Sequence, residues 1–144
     1  MTSMPSPETI AVWTRLIAAS GRAQGAIEAA LKAAGLPALE WYDALLEIER
    51  AGPEGIRPFA LKERLLLPQY GISRLLARIE AAGLIERAAC EADGRGQVVV
   101  ITEPGRAMRR RMWPVYGAAI EAAVGRKLVT AEARALSELL DALK

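Results

Sequence analysis

Two groups of residues carry chemistry suited to anions and hydrogen-bonding edges. The first is Gln69, Tyr70, Ser73, Arg74 and Arg78, spaced to fall on one side of a helix. The second is Arg95, within Asp93-Gly94-Arg95-Gly96. An arginine guanidinium is a planar fork that matches phosphate oxygens or the paired acceptors of a guanine edge, and it suits the concentrated negative potential of a narrow minor groove. Gln69 and Ser73 add hydrogen-bonding groups for bases or phosphates; Tyr70 either does the same or packs at the turn. Taken singly, Arg74 and Arg95 read as solvated charges or ion-pair partners. Their joint setting is what points to nucleic acid.

That setting is legible in the flanking residues. Residues 68–82 predict a helix, with Pro68 in its first turn and Gly83-Leu84 in a C-cap arrangement. Ile72, Leu75, Leu76 and Ile79 share one face, which fixes the buried side and leaves the polar group opposite. A short helix over 58–66 precedes it, so the two form a helix-turn-helix. Residues 85–91 and 97–101 then predict the strands of a hairpin. Asp93-Gly94 favours a tight turn, and the β-branched run over 98–101 favours a strand. Thr102-Glu103-Pro104 supplies a capping hydroxyl, an early acid and an early proline for the next helix. A cationic hairpin tip beside a polar helix is the layout of a winged helix-turn-helix.

The ends of the chain predict helices too. Ser6-Pro7-Glu8 starts one over 7–34, whose stripe Ile10, Trp13, Ile17, Ser20, Gln24, Ile27, Leu31 has heptad-like steps. At 1.5 Å per residue it is roughly 42 Å long, more than a small domain needs, so part of it is expected to pack on another chain. Further helices are expected over 37–51, over 103–124 with a bend near Trp113 where Pro114 removes a backbone donor, and from Thr130 onward with Leu136, Leu139, Leu140 and Leu143 on one side. The fold class is therefore mainly α with a small β-hairpin wing. A winged helix-turn-helix unit is expected over 37–102, and a helical dimerisation region over 1–36 and 103–144.

Composition narrows the function classes. A chain of 144 residues, 52% hydrophobic, can bury one sizeable core, and its abundance of Ala and Leu suits helices. Net charge is only +2. Residues 56–111, however, hold eleven Lys/Arg against six Asp/Glu, a net of +5, and the remainder is −3. With one cysteine, Cys90, and no histidine, an intrachain disulfide, a zinc site and a histidine-based catalytic dyad have no groups to use. No phosphate-cradling glycine loop or nucleophile-base combination is present, so neither an enzyme nor a cofactor is expected. The first apolar stretch is broken by Arg15 and lacks a basic leader, which argues against a signal peptide or membrane span and for a reducing cytoplasm.

Over 61–105 the sequence resembles the MarR family of transcriptional regulators. The matching words are Ile72-Ser73-Arg74-Leu75-Leu76, Ile79-Glu80-Ala81-Ala82-Gly83-Leu84-Ile85-Glu86-Arg87, and Asp93-x-Arg95-x-x-x-Val99-x-Ile101-Thr102-x-x-Gly105. The resemblance implies a homodimer whose first, fifth and sixth helices interlock, with the fourth helix in the major groove of a pseudo-palindromic double-stranded operator. It places Arg95 in or along the minor groove and gives Asp93 a supporting role toward nearby arginines. Departures from the family pattern are Leu67-Pro68-Gln69-Tyr70-Gly71, where hydroxyl residues are usual, together with Gly94 and Ala88 at positions usually basic.

Many members of that family release DNA when a small aromatic acid or phenolic effector binds between the dimer core and the winged unit. Trp13, Trp41 and Tyr42 are placed to bound such a cleft, with Arg15 or Arg22 to receive a carboxylate. The alternative reading makes these aromatics core or dimer-interface anchors. Cys90 lies on a wing strand rather than in the first helix, where oxidant-sensing relatives carry their thiol, and is expected to be structural. Arg109-Arg110-Arg111 is expected to be a solvated helix face. A second function class stays open: a winged-helix dimer serving as a protein-interaction adaptor without sequence-specific DNA binding.

Overall fold

The computed structural model describes residues 2–89 and 96–144. Helix α1 (Pro7–Ala33) starts where the Ser6 hydroxyl accepts the Thr9 N–H at 3.1 Å. Helix α2 (Leu39–Ala51) follows an Ala38 that has no capping side chain. Its first amide is satisfied instead from upstream, since Glu28 Oε1 of α1 accepts the Leu39 N–H at 2.6 Å. Then come α3 (Pro58–Arg64), α4 (Ile72–Ala81), β1 (Ile85–Ala89), β2 (Gln97–Ile101), α5 (Glu103–Ala123) and α6 (Thr130–Asp141).

The strands pair antiparallel from Ile85↔Ile101 to Ala89↔Gln97. Ile56 adds a bridge on the far side of β2, exchanging both backbone hydrogen bonds with Val99 at 3.0 and 2.8 Å. Gly55 makes that approach possible. Its φ is +76°, and a Cβ there would sit within 2.9 Å of Val98, Val100 and the Val99 carbonyl.

Two apolar clusters share α2. One joins Leu45 and Ile48 of α2 to Leu61, Leu75, Leu76, Ile79, Ile85 and Val99, locking α4 and the wing onto α2 and α3. Full burial of such a side chain contributes about 1.5–3 kcal/mol, so three fully buried residues on α4 fix its rotation about its own axis. The other cluster joins Ile27 and Leu31 of α1 to Leu39 and Tyr42 of α2 and Met112 and Ala119 of α5. Met108 packs against both.

The joint between wing and α5 is tight. Thr102 accepts the Gly105 N–H at 3.1 Å and donates its hydroxyl to the Gly83 carbonyl at 2.7 Å. Gly105 lies so close that a Cβ would fall 2.1 Å from the Leu84 carbonyl oxygen.

One boundary corrects the expectation. Helix α4 opens at Ile72 rather than at Pro68, so Gln69 and Tyr70 precede the helix instead of lying on it. Gly71, at φ −136° and ψ 51°, is not helical. Upstream, the Asp43 carboxylate accepts the N–H groups of Leu66 at 3.0 Å and Leu67 at 2.8 Å, holding the connection in its own path. Helix α5 continues through Pro114 without interruption.

Candidate nucleic-acid interface and cavity

The buried face of α4 dictates what the other face offers. With Leu75, Leu76 and Ile79 inward, Ser73, Arg74, Ala77 and Arg78 are exposed. Among the described residues, no carboxylate pairs with Arg74. Tyr70 stands fully in solvent, at 101% of its reference exposure, just ahead of the helix. Arg78 and Gln69 are drawn to one carboxylate: Glu40 Oε1 accepts from Arg78 at 3.2 Å, and Glu40 Oε2 accepts from Gln69 at 3.4 Å. Cys90, Asp93, Gly94 and Arg95 lie outside the described residues.

A cleft of about 840 Å³ opens on the other side of α2, between α5 and the α3–α4 connection. Its aromatic wall is a trio. Tyr42 stacks on Trp113 with centroids 6.2 Å apart and meets Tyr116 edge-on at 4.9 Å, and Trp113 meets Tyr116 edge-on at 5.8 Å. Asp43, Leu66, Leu67 and Arg109 also line it. Arg109 is ion-paired with Glu49 and only 20% exposed. Burial alone would lower its pKa, but contacts with Tyr42 and Glu49 outweigh that and raise it, so the guanidinium stays charged. Burial chiefly, helped by the fields of Asp43 and Tyr42, raises the Tyr116 phenol above its ordinary value.

Of the residues expected to bound such a cleft, Tyr42 lines it. Trp13 and Arg15 project from the exposed first half of α1, and Trp41 packs instead against the cluster beneath the wing. These three are not brought to the cavity. Arg22 is likewise exposed on α1. Neither is the Arg109-Arg110-Arg111 run uniformly solvated, since Arg109 turns inward while Arg110 reaches Glu103 at 3.5 Å.

Comparison with known proteins follows the same lines. A family profile described as MarR family matches residues 34–96. An uncharacterized HTH-type transcriptional regulator of Bacillus cereus is 31% identical over 103 residues, which is 72% of this chain and 66% of that protein's length. The chain belongs to the MarR family. The fold is shared with a MarR family transcriptional regulator of Streptomyces coelicolor solved in complex with DNA, at a TM-score of 0.88 and 22% identity, covering 99% of this chain and 89% of that one. It is also shared with CouR of Rhodococcus jostii, solved bound to p-coumaroyl-CoA, at a TM-score of 0.76 and 22% identity, covering 92% and 90%.

In this MarR-family chain, sequence reasoning missed most of the cavity wall, although a signal was present. Arg109, Trp113, Tyr116 and Ile120 recur at steps of four, three and four, the period of one helix face, and all four line the cleft. Asp43 was also missed. A lone acid between Tyr42 and Ala44 carries no local sign that it will be buried against backbone amides two dozen residues away.

Proposed function

We propose that this MarR-family chain is a cytoplasmic, non-enzymatic regulator of transcription that binds a pseudo-palindromic operator as a homodimer and represses until a small aromatic or phenolic effector displaces it. The observation that carries the DNA-binding reading is the exposed Ser73–Arg74 face of α4, set rigidly by the buried face behind it. Ser73 and Arg74 read bases or phosphates in the major groove, with Gln69, Tyr70 and Arg78 at its edge. Arg95, steadied by Asp93 and Gly94, is the expected minor-groove contact.

The dimer reading is supported by apolar surface left uncovered in one copy. Ile10, Trp13 and Ile17 on α1, Leu136, Leu139 and Leu140 on α6, and Leu143 just beyond it are all exposed. A twofold dimer implies half-sites about 10 base pairs apart, or a multiple of that. The aromatic trio with Arg109 at its edge supports a planar, anionic effector, since rings stack on rings and a guanidinium receives a carboxylate.

The test is fluorescence anisotropy with a duplex from upstream of the protein's own gene beside a scrambled duplex, at two salt concentrations. Tighter binding to the native duplex is expected, falling steeply with salt for both. Arg74→Ala and Arg95→Ala should each weaken it. Absence of binding to either duplex at low salt would overturn the reading.

A further inference from the structure

Glu40 stands where an acid is least expected on a DNA-reading surface. It sits in the first turn of α2, yet its carboxylate reaches across to both ends of the reading segment, taking Gln69 just ahead of α4 and Arg78 in the last turn of α4. These are two of the groups with which that surface would contact DNA. Arg78 is 56% exposed and Glu40 33%, so the pair lies at the surface, open to competition from a phosphate. An unrestrained arginine there would neutralise whichever phosphate came near, adding affinity without sequence information. A guanidinium held by a carboxylate has a fixed direction and little net charge to offer the backbone.

We propose that Glu40 is a specificity-determining positioning residue, which by binding Arg78 and Gln69 together suppresses indiscriminate phosphate contact and fixes both side chains for reading base edges. The proposal rests on the DNA-binding reading above. The bland account is that Glu40 only complements the N-terminal end of the α2 dipole. Asp at this position would keep that charge but, one methylene shorter, would lose the reach to Arg78.

Salt dependence separates the two accounts. Wild type, Glu40→Asp and Glu40→Gln, each with and without Arg78→Ala, are titrated as full chains against a random-sequence 30-base-pair duplex over a series of salt concentrations. Both Glu40 variants should bind this duplex about threefold tighter or more, and steepen the plot of log affinity against log salt by about 0.9 per protomer, one phosphate each. Both gains should vanish on the Arg78→Ala background. In selection from a randomised duplex pool, the variants should return a broader set of sequences than wild type. An unchanged slope in Glu40→Asp, or a gain that survives Arg78→Ala, overturns the proposal while leaving DNA binding intact. A wild type that binds no duplex at any salt overturns both.

Discussion

Asp43 ties down the connection that leads into α4. It is 8% exposed, and each carboxylate oxygen accepts one backbone N–H from the segment that delivers the chain to α4. Hydrogen bonds to a charged acceptor contribute about 1.5–3 kcal/mol, and stranding the donors costs more than replacing both partners would. Asp43→Ala is therefore expected to lower unfolding free energy by about 2–3 kcal/mol in a urea titration. A change under half of that would show that water replaces the carboxylate freely.

Tyr116 offers a second prediction at this scale. Its phenol is held protonated past the ordinary tyrosine value, so the folded chain keeps a proton that the unfolded chain releases from about pH 10 upward. The contribution is whole below that pH and is lost as pH rises through the folded value. Stability should decline on the alkaline side, and Tyr116→Phe should flatten part of that decline when denaturation midpoints are followed from pH 8 to 12. Exposed residues such as Arg74 were legible in the sequence because the apolar face opposite defines them. Inward-turned residues such as the buried Asp43 and the half-buried Arg109 were not, because their partners are distant in the chain and nothing local announces them.

Elements were read more securely than residues. The strand β2 and the start of α5 follow directly from β-branched residues, a threonine cap and an early proline. The start of α4 was misplaced because Pro68 is equally at home in a first turn and in a connection. Local preference could not see the Asp43 bonds that decide between them. Gly105 shows what sits behind one residue of the family pattern: α5 must begin against the Leu84 carbonyl, and no side chain fits between. Because that neighbour is backbone, Gly105→Ala should destabilise by about 3 kcal/mol, the upper range for overpacking, and a thermal melt would register it. Survival of wild-type stability would mean the wing and α5 can part without cost.

At the scale of the molecule, the basic middle of the chain carries α4 and the wing, while Leu136, Leu139 and Leu140 stand uncovered on α6 and Ile10 and Ile17 on α1. The length of α1 leads to the expectation of a partner, and its first half carries no buried residue within one copy. Leu139, 68% exposed on α6, is a site where a charge disturbs nothing inside the monomer. Leu139→Glu is expected to shift sedimentation toward monomer at micromolar concentration. It should weaken DNA binding more than tenfold, because two linked half-sites gain from effective concentration that a single one lacks. A variant that sediments as a dimer with unaltered affinity would place the interface elsewhere.

Helix α5 joins these regions as a lever. Its 21 residues span about 31 Å. One end is bonded through Thr102 to the turn after α4, and the body lies along α1. A tilt of roughly 5° about its far end would sweep the reading unit through roughly 3 Å, close to one base-pair step. In a symmetric pair both arms swing, so the gap between two grooves would change by about twice that. In the proposed dimer, leverage of this kind would let a small rearrangement at the fulcrum decide whether two reading heads are in phase with the duplex or out of step with it.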